Sequence, residues 1–268
     1  MSSNPKSTAN ERDIPQYSLL MILFMFAWPA AWFVFLIWIA VLAFPPAPGA
    51  FISTWVFYGI ATLGNAAELI VALILLRREG FKLTFSDLRD RARLRWPRSW
   101  KKWALVLVAL ALYVASMQLG FLDKALATVP GFVPPDYWPP QLNPTVEISA
   151  PEELYPDITL RGNYLFLAVF VVYGIVFNII GEELYYRSVL LPKMRGVFGK
   201  WDWVANGVLF ELKHVYTRWL WPSGIFSSLA FALLGGPMGS VWLSMLFHWT
   251  GSFLFGLIAG IPLIFGGN

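Results

Sequence analysis

Between Ser18 and Phe44 the chain carries no charged side chain, and that run exceeds the roughly 20 apolar residues a helix needs to cross a bilayer. Backbone inside hydrocarbon must satisfy its own hydrogen bonds, so a run like this has to be helical. It is too long for a signal-peptide core and lacks a small-residue cleavage pattern, so it reads as a retained span. Pro29 should kink it. Comparable runs follow at Phe51–Leu76, Trp103–Phe121, Tyr164–Leu191, Trp203 to near Trp221, Gly224–Leu234 and Ser240–Phe265. They predict an all-α, polytopic transmembrane helix bundle of about seven spans, or about eight helices with an interfacial one counted. Charged residues make up only 13% of the chain, where a soluble domain carries about a quarter. The protein is therefore expected to be a multi-pass integral membrane protein, with no soluble domain and no internal repeat.

The organisation follows from charge. Residues 1–17 form a polar tail, and 18–265 form a single transmembrane domain. Residues 77–102 hold Arg77, Arg78, Lys82, Arg89, Arg91, Arg93, Arg95, Arg98, Lys101 and Lys102. A short loop this basic belongs in the cytoplasm, which puts the N-terminus there too. Lys193, Arg195 and Lys200 give the same orientation independently. Within the basic loop, Phe85 to Trp96 spaces Leu88, Ala92 and Trp96 for a helix lying on an anionic lipid surface. Residues 122–162 are rich in proline and acids, which suits an extended outer loop and a docking place for a membrane-protein partner. No cysteine is present, which excludes thiol nucleophiles, disulfides and cysteine-based metal centres. The basic residues sit in loops between apolar spans, so nothing points to nucleic acid.

Against this background the few buried polar groups stand out. Glu182 and Glu183 close an apolar run, and the two histidines, His214 and His248, also fall inside apolar segments. Ionisable groups at that depth are costly and mark function by default. Counted from the cytoplasmic ends of their spans, Glu182, His214 and His248 lie at roughly 15, 16 and 13 Å. Three polar groups on three helices thus share one level. A Glu beside a His can take a proton from water without a metal, and a second His with a nearby donor can stabilise an oxyanion. Glu183 and Arg187 are spaced for an ion pair on one helix face. Glu68, another intramembrane acid, reads as part of an interior hydrogen-bond network.

In order, Glu182-Glu183-x-x-x-Arg187, Phe210-x-x-x-His214 and His248-x-x-x-Ser252 resemble the three motifs of the CPBP family. That family groups CAAX prenyl endopeptidases with bacteriocin-processing and self-immunity membrane proteins. The resemblance covers 164–256, which it marks as a catalytic core. It implies an intramembrane protease of the glutamate type. Glu182 and His214 would activate water, while Glu183, Arg187 and Phe210 support the site. His248 and the residue four positions on would form the oxyanion hole. The family usually has Asn or Asp at that last position, where this chain has Ser252, a donor on a shorter arm; Ser244 and Thr250 are other nearby hydroxyls.

Several readings stay open on sequence. The first is hydrolysis of a prenylated C-terminal tail or a leader or precursor peptide, with substrate entering from the membrane or the cytoplasmic side through a cavity open to the cytoplasm. A zinc protease could use Glu182, His214 and His248 as ligands. A non-catalytic member would act in immunity, partner binding or as a complex subunit. A haem or pigment ligand at His214 or His248 would leave the Glu pair without a use.

Overall fold

The computed structural model describes residues 14–250, 253 and 255–266; Ser252 and residues 1–13 of the tail lie outside them. Among these residues, four helices are long and apolar enough to cross a membrane: α1 (Leu19–Ala43), α2 (Thr54–Arg78), α4 (Trp100–Gln118) and α6 (Tyr164–Lys193). The protein is a multi-pass integral membrane protein. Ser18 caps α1 by accepting a hydrogen bond from the Met21 N–H (3.3 Å), and Asn163 caps α6 through the Phe166 N–H (3.0 Å). From Tyr173 to Leu190, α6 is wound with wide, π-type turns, a distortion that recurs at functional sites.

The remaining spans expected from sequence are shorter. Helix α7 (Asp202–Leu212) gives way to a tight 3₁₀ turn over Val215–Leu220 before α8 (Trp221–Gly235). Pro222, in the first turn of α8, suits a helix start. The final apolar run is divided into α9 (Val241–Trp249) and α10 (Phe255–Phe265). Small residues let these helices approach closely. A Cβ on Gly207 of α7 would lie 3.0 Å from the Leu229 Cα of α8, and one on Gly181 of α6 would lie 3.3 Å from the Asn65 carbonyl oxygen of α2.

The two ends of the bundle differ. At the basic end, helix α3 is limited to Phe85–Arg91, shorter than the surface helix expected through Trp96. The chain turns at Arg93, whose φ of 54° is unusual for a non-glycine residue, and then runs as a strap beneath the bundle. Arg91 donates to Glu79 (2.8 Å) and to the Ser188 carbonyl (2.5 Å). Arg93 donates to the Gly235 carbonyl (2.9 Å), and the Arg93 carbonyl accepts from the Val241 N–H (3.1 Å). Lys193, on α6, reaches Glu79 at 2.8 Å.

Burial pushes the Glu79 carboxyl up, but the hydrogen bonds from Arg91 and Lys193 outweigh it and hold Glu79 below the ordinary carboxylate range. A depressed folded value means that Glu79 contributes stability above its unfolded value of about 4.3 and loses it as pH falls through the folded value. Melting temperature in detergent should therefore drop below about pH 4.3, and more steeply in wild type than in Glu79→Gln. Parallel curves for the two proteins would remove Glu79 as the cause.

At the other end, the proline-rich segment is docked along much of its length. It contains helix α5 (Gly120–Leu126) and short turns at Pro140–Leu142 and Pro151–Leu154. The Tyr137 carbonyl accepts from the Ile52 N–H (2.7 Å), and the Leu142 carbonyl from the Trp219 indole (2.7 Å). Asp157 accepts from the Thr54 N–H (2.8 Å), and Asp123 accepts from the Ser223 N–H at the start of α8 (3.0 Å).

Candidate active site

Glu182 and Glu183 sit in the π-wound part of α6, 3% and 0% exposed. Being adjacent on a helix, they point in different directions and take different partners. Glu182 Oε1 accepts from Lys213 Nζ (2.8 Å), while Glu182 Oε2 lies 3.6 Å from His248 Nε2. Glu183 Oε1 lies 3.1 Å from His248 Nδ1, and Glu183 Oε2 receives the Ser244 hydroxyl. His248 therefore bridges the two acids. Its ring is stacked on Phe231 with centroids 4.8 Å apart and 19° between planes, which fixes its plane as the Glu183 contact fixes its edge.

Arg187 Nε is 3.7 Å from Glu183 Oε2, the expected ion pair one turn along α6. Its guanidinium carbon lies 3.9 Å from the centre of the Phe210 ring, so a cation fully enclosed by protein rests on a π-face. Close passage of α8 makes this geometry possible, since a Cβ on Gly235 would come within 2.7 Å of Arg187 Cγ. Phe210 in turn meets the His214 ring edge-on at 5.1 Å. Each motif residue on α6 and α7 thus has a defined contact.

Lys213 was not singled out from sequence, and it is the hub of the charged cluster. Fully buried, it donates to Glu182 and to Glu68 Oε1 of α2 (3.0 Å), and the Tyr186 hydroxyl donates to the same Glu68 oxygen (2.8 Å). The expected role of Glu68 in an interior network holds. The signal for Lys213 was available: a lysine in an apolar run beside His214 is itself an intramembrane charge. A further buried acid, Glu211, accepts from the Ser228 hydroxyl at 2.6 Å.

His214, at the end of α7, faces a cavity of about 90 Å³ whose wall also includes Glu182, Asn65, Asn178 and Tyr173. The space has room for a few waters, and the polar wall would supply partners for them. Among the described residues no group of three His, Asp or Glu side chains is placed to hold a metal ion, so the zinc set Glu182, His214 and His248 does not form one.

Residues 164–258, which contain all of these motif positions, match the family model described as Type II CAAX prenyl endopeptidase Rce1-like. No curated protein and no solved structure matches the chain.

Proposed function

We propose that the protein is an intramembrane endopeptidase in which Glu182 activates a water for attack on a peptide carbonyl. The observation that carries this reading is the convergence around Glu182: His248 approaches one oxygen, and His214 lines the same small cavity of about 90 Å³. In the reaction Glu182 takes a proton from water as the oxygen bonds to the carbonyl carbon, with His214 orienting that water. His248, turned toward the site by Glu183, stabilises the oxyanion. The C–N bond then breaks, and the proton held by Glu182 passes to the departing amine. Lys213 keeps Glu182 compensated inside the bilayer, and the Glu183–Arg187–Phe210 stack supports the His248 side.

By the positive-inside rule, the basic strap faces the cytoplasm and the proline-rich segment faces the opposite side. A prenylated tail and a leader or precursor peptide both remain within the reaction class. A second reading has one observation in its favour: Lys213 occupies an oxygen of the proposed base, as it would in a member that binds a partner without cleaving it.

Hydrolysis in ¹⁸O-water separates the two. Membranes containing the wild-type protein should generate new peptide C-termini carrying ¹⁸O, from added prenylated tetrapeptide or from resident precursors, with a chelator present. Peptide termini identical to those of membranes without the protein would overturn the proteolytic reading.

A further inference from the structure

We infer that the basic end of the bundle is a binding surface for anionic phospholipid headgroups, and that headgroups held there keep the strap closed and, through it, the Glu183–His248 side of the site in place. The surface stands on charge and exposure; only the catalytic meaning of what it steadies rests on the proteolytic reading.

The cations at this end divide into two sets. Arg91, Arg93, Lys102 and Lys193 are taken up by protein acceptors, Lys102 by the Met238 carbonyl (2.6 Å). Arg77, Arg78, Lys82, Arg98 and Lys101 are exposed, and among the described residues none of these five forms an ion pair. Asp90, an exposed acid of α3, is already held by Arg95 at 2.7 Å. Phe85, Trp96 and Trp100, each more than half exposed, are interspersed with these cations. Cations interleaved with aromatic rings suit the headgroup level of a bilayer, where the cations meet phosphate and the rings meet the acyl boundary. The surface is assembled from several elements rather than from one helix. The Arg91–Glu79 pair joins α3 to the end of α2, and Trp96 stacks on Trp103 of α4 with centroids 6.2 Å apart.

The inner side of the same segment grips the site. Arg91 donates to the Ser188 carbonyl, and the Ser188 hydroxyl donates to the Ala92 carbonyl (3.2 Å), so the residue after Arg187 is held twice. The Arg93 carbonyl holds the Val241 N–H at the start of α9, and about two turns along that helix come Ser244 and His248, both on Glu183. Two forces oppose closure. Arg93 sits at a φ of 54°, a strained setting for a non-glycine residue, and the unpaired cations on the outer side repel one another. Phosphate headgroups remove the second force, whereas a bilayer of zwitterionic lipid leaves most of it. Lipid charge at the surface is thereby coupled to the fixing of His248.

The test uses the full chain in nanodiscs of phosphatidylcholine alone or mixed with phosphatidylglycerol. Electron spin resonance of spin-labelled lipid reads which headgroup the protein retains, and hydrogen exchange of the peptide containing Val241 reads closure of the strap. Wild type should retain phosphatidylglycerol preferentially, and in the mixed discs its Val241 amide should exchange about tenfold more slowly, a scale set by one or two headgroup contacts. Replacing Arg77, Arg78, Lys82, Arg98 and Lys101 by Gln leaves every inward bond intact and should abolish both differences. If that protein does not accumulate, Arg98→Gln with Lys101→Gln should at least halve the lipid preference. Equal retention of the two lipids by wild type, or undiminished preference in the variant that accumulates, overturns the surface. Preferential retention with unchanged Val241 exchange overturns the coupling to the strap. Inorganic phosphate reproducing the slower exchange in phosphatidylcholine discs overturns the assignment to lipid. None of these readouts involves cleavage, so the proteolytic reading fails or survives separately, by the ¹⁸O experiment.

Discussion

Glu182→Gln should slow peptide cleavage by about a thousandfold, the scale of a lost general base, while the protein remains folded in detergent. The substitution is nearly isosteric and keeps an oxygen to accept from Lys213, which already donates to Glu182 at 2.8 Å. What disappears is the site for the proton taken from water. Lys213 still has Glu68 at 3.0 Å as a counter-charge, so the cation is not stranded. A readout of new peptide termini per unit time, paired with a melting curve, distinguishes lost chemistry from lost structure. Cleavage at the wild-type rate by purified Glu182→Gln protein would sink the mechanism.

Lys213→Met should have the largest effect on stability, with a loss of about 3–5 kcal/mol, because removing one member of a buried charge cluster leaves the others uncompensated. Glu68 and Glu182 would then be two carboxylates enclosed by protein, with the cation that links them gone. Methionine keeps most of the lysine's length and apolar stem, so lost packing contributes little. The double variant Lys213→Met with Glu68→Gln removes one positive and one negative charge together. It should recover part of the loss, and the recovered part measures the coupling. Thermal unfolding in one detergent at fixed concentration checks both. A Lys213→Met protein that melts with wild type would show that the cluster does not carry its charge as drawn.

The four long helices were legible because each contains an apolar stretch long enough to span the bilayer with few charges, and the bilayer leaves such a stretch a single local structure. The last three spans were less so. Where α7 stops at Leu212 and the chain turns at Lys213 and His214, the surrounding sequence stays apolar enough to read as a continuing helix. Depth counting put Glu182, His214 and His248 at one level, and the first two do share a cavity wall while the first and third lie 3.6 Å apart. Depth carries no information about which face of each helix a side chain leaves from. Lys213 escaped notice for that reason: one position from His214 on a continuous helix, it would point elsewhere, but the turn after Leu212 directs both inward. Its pairing with Glu68 spans 145 positions of sequence, far beyond any local pattern.

The strap under the basic end has a consequence for how the chain is made. Arg91 and Arg93 belong to the first half of the sequence, yet their anchors, Ser188, Gly235 and Val241, emerge from the ribosome much later. During synthesis the bonds from these residues to Ser188, Gly235 and Val241 cannot form until the C-terminal third has been inserted, and long-range closures of this kind form late. The strap would then be a latch set at the end of biogenesis. A chain stopped before Gly235 would carry the Glu pair into the membrane with its floor unsealed, exposed to quality-control proteases, and assembly of the site and completion of the chain become the same event.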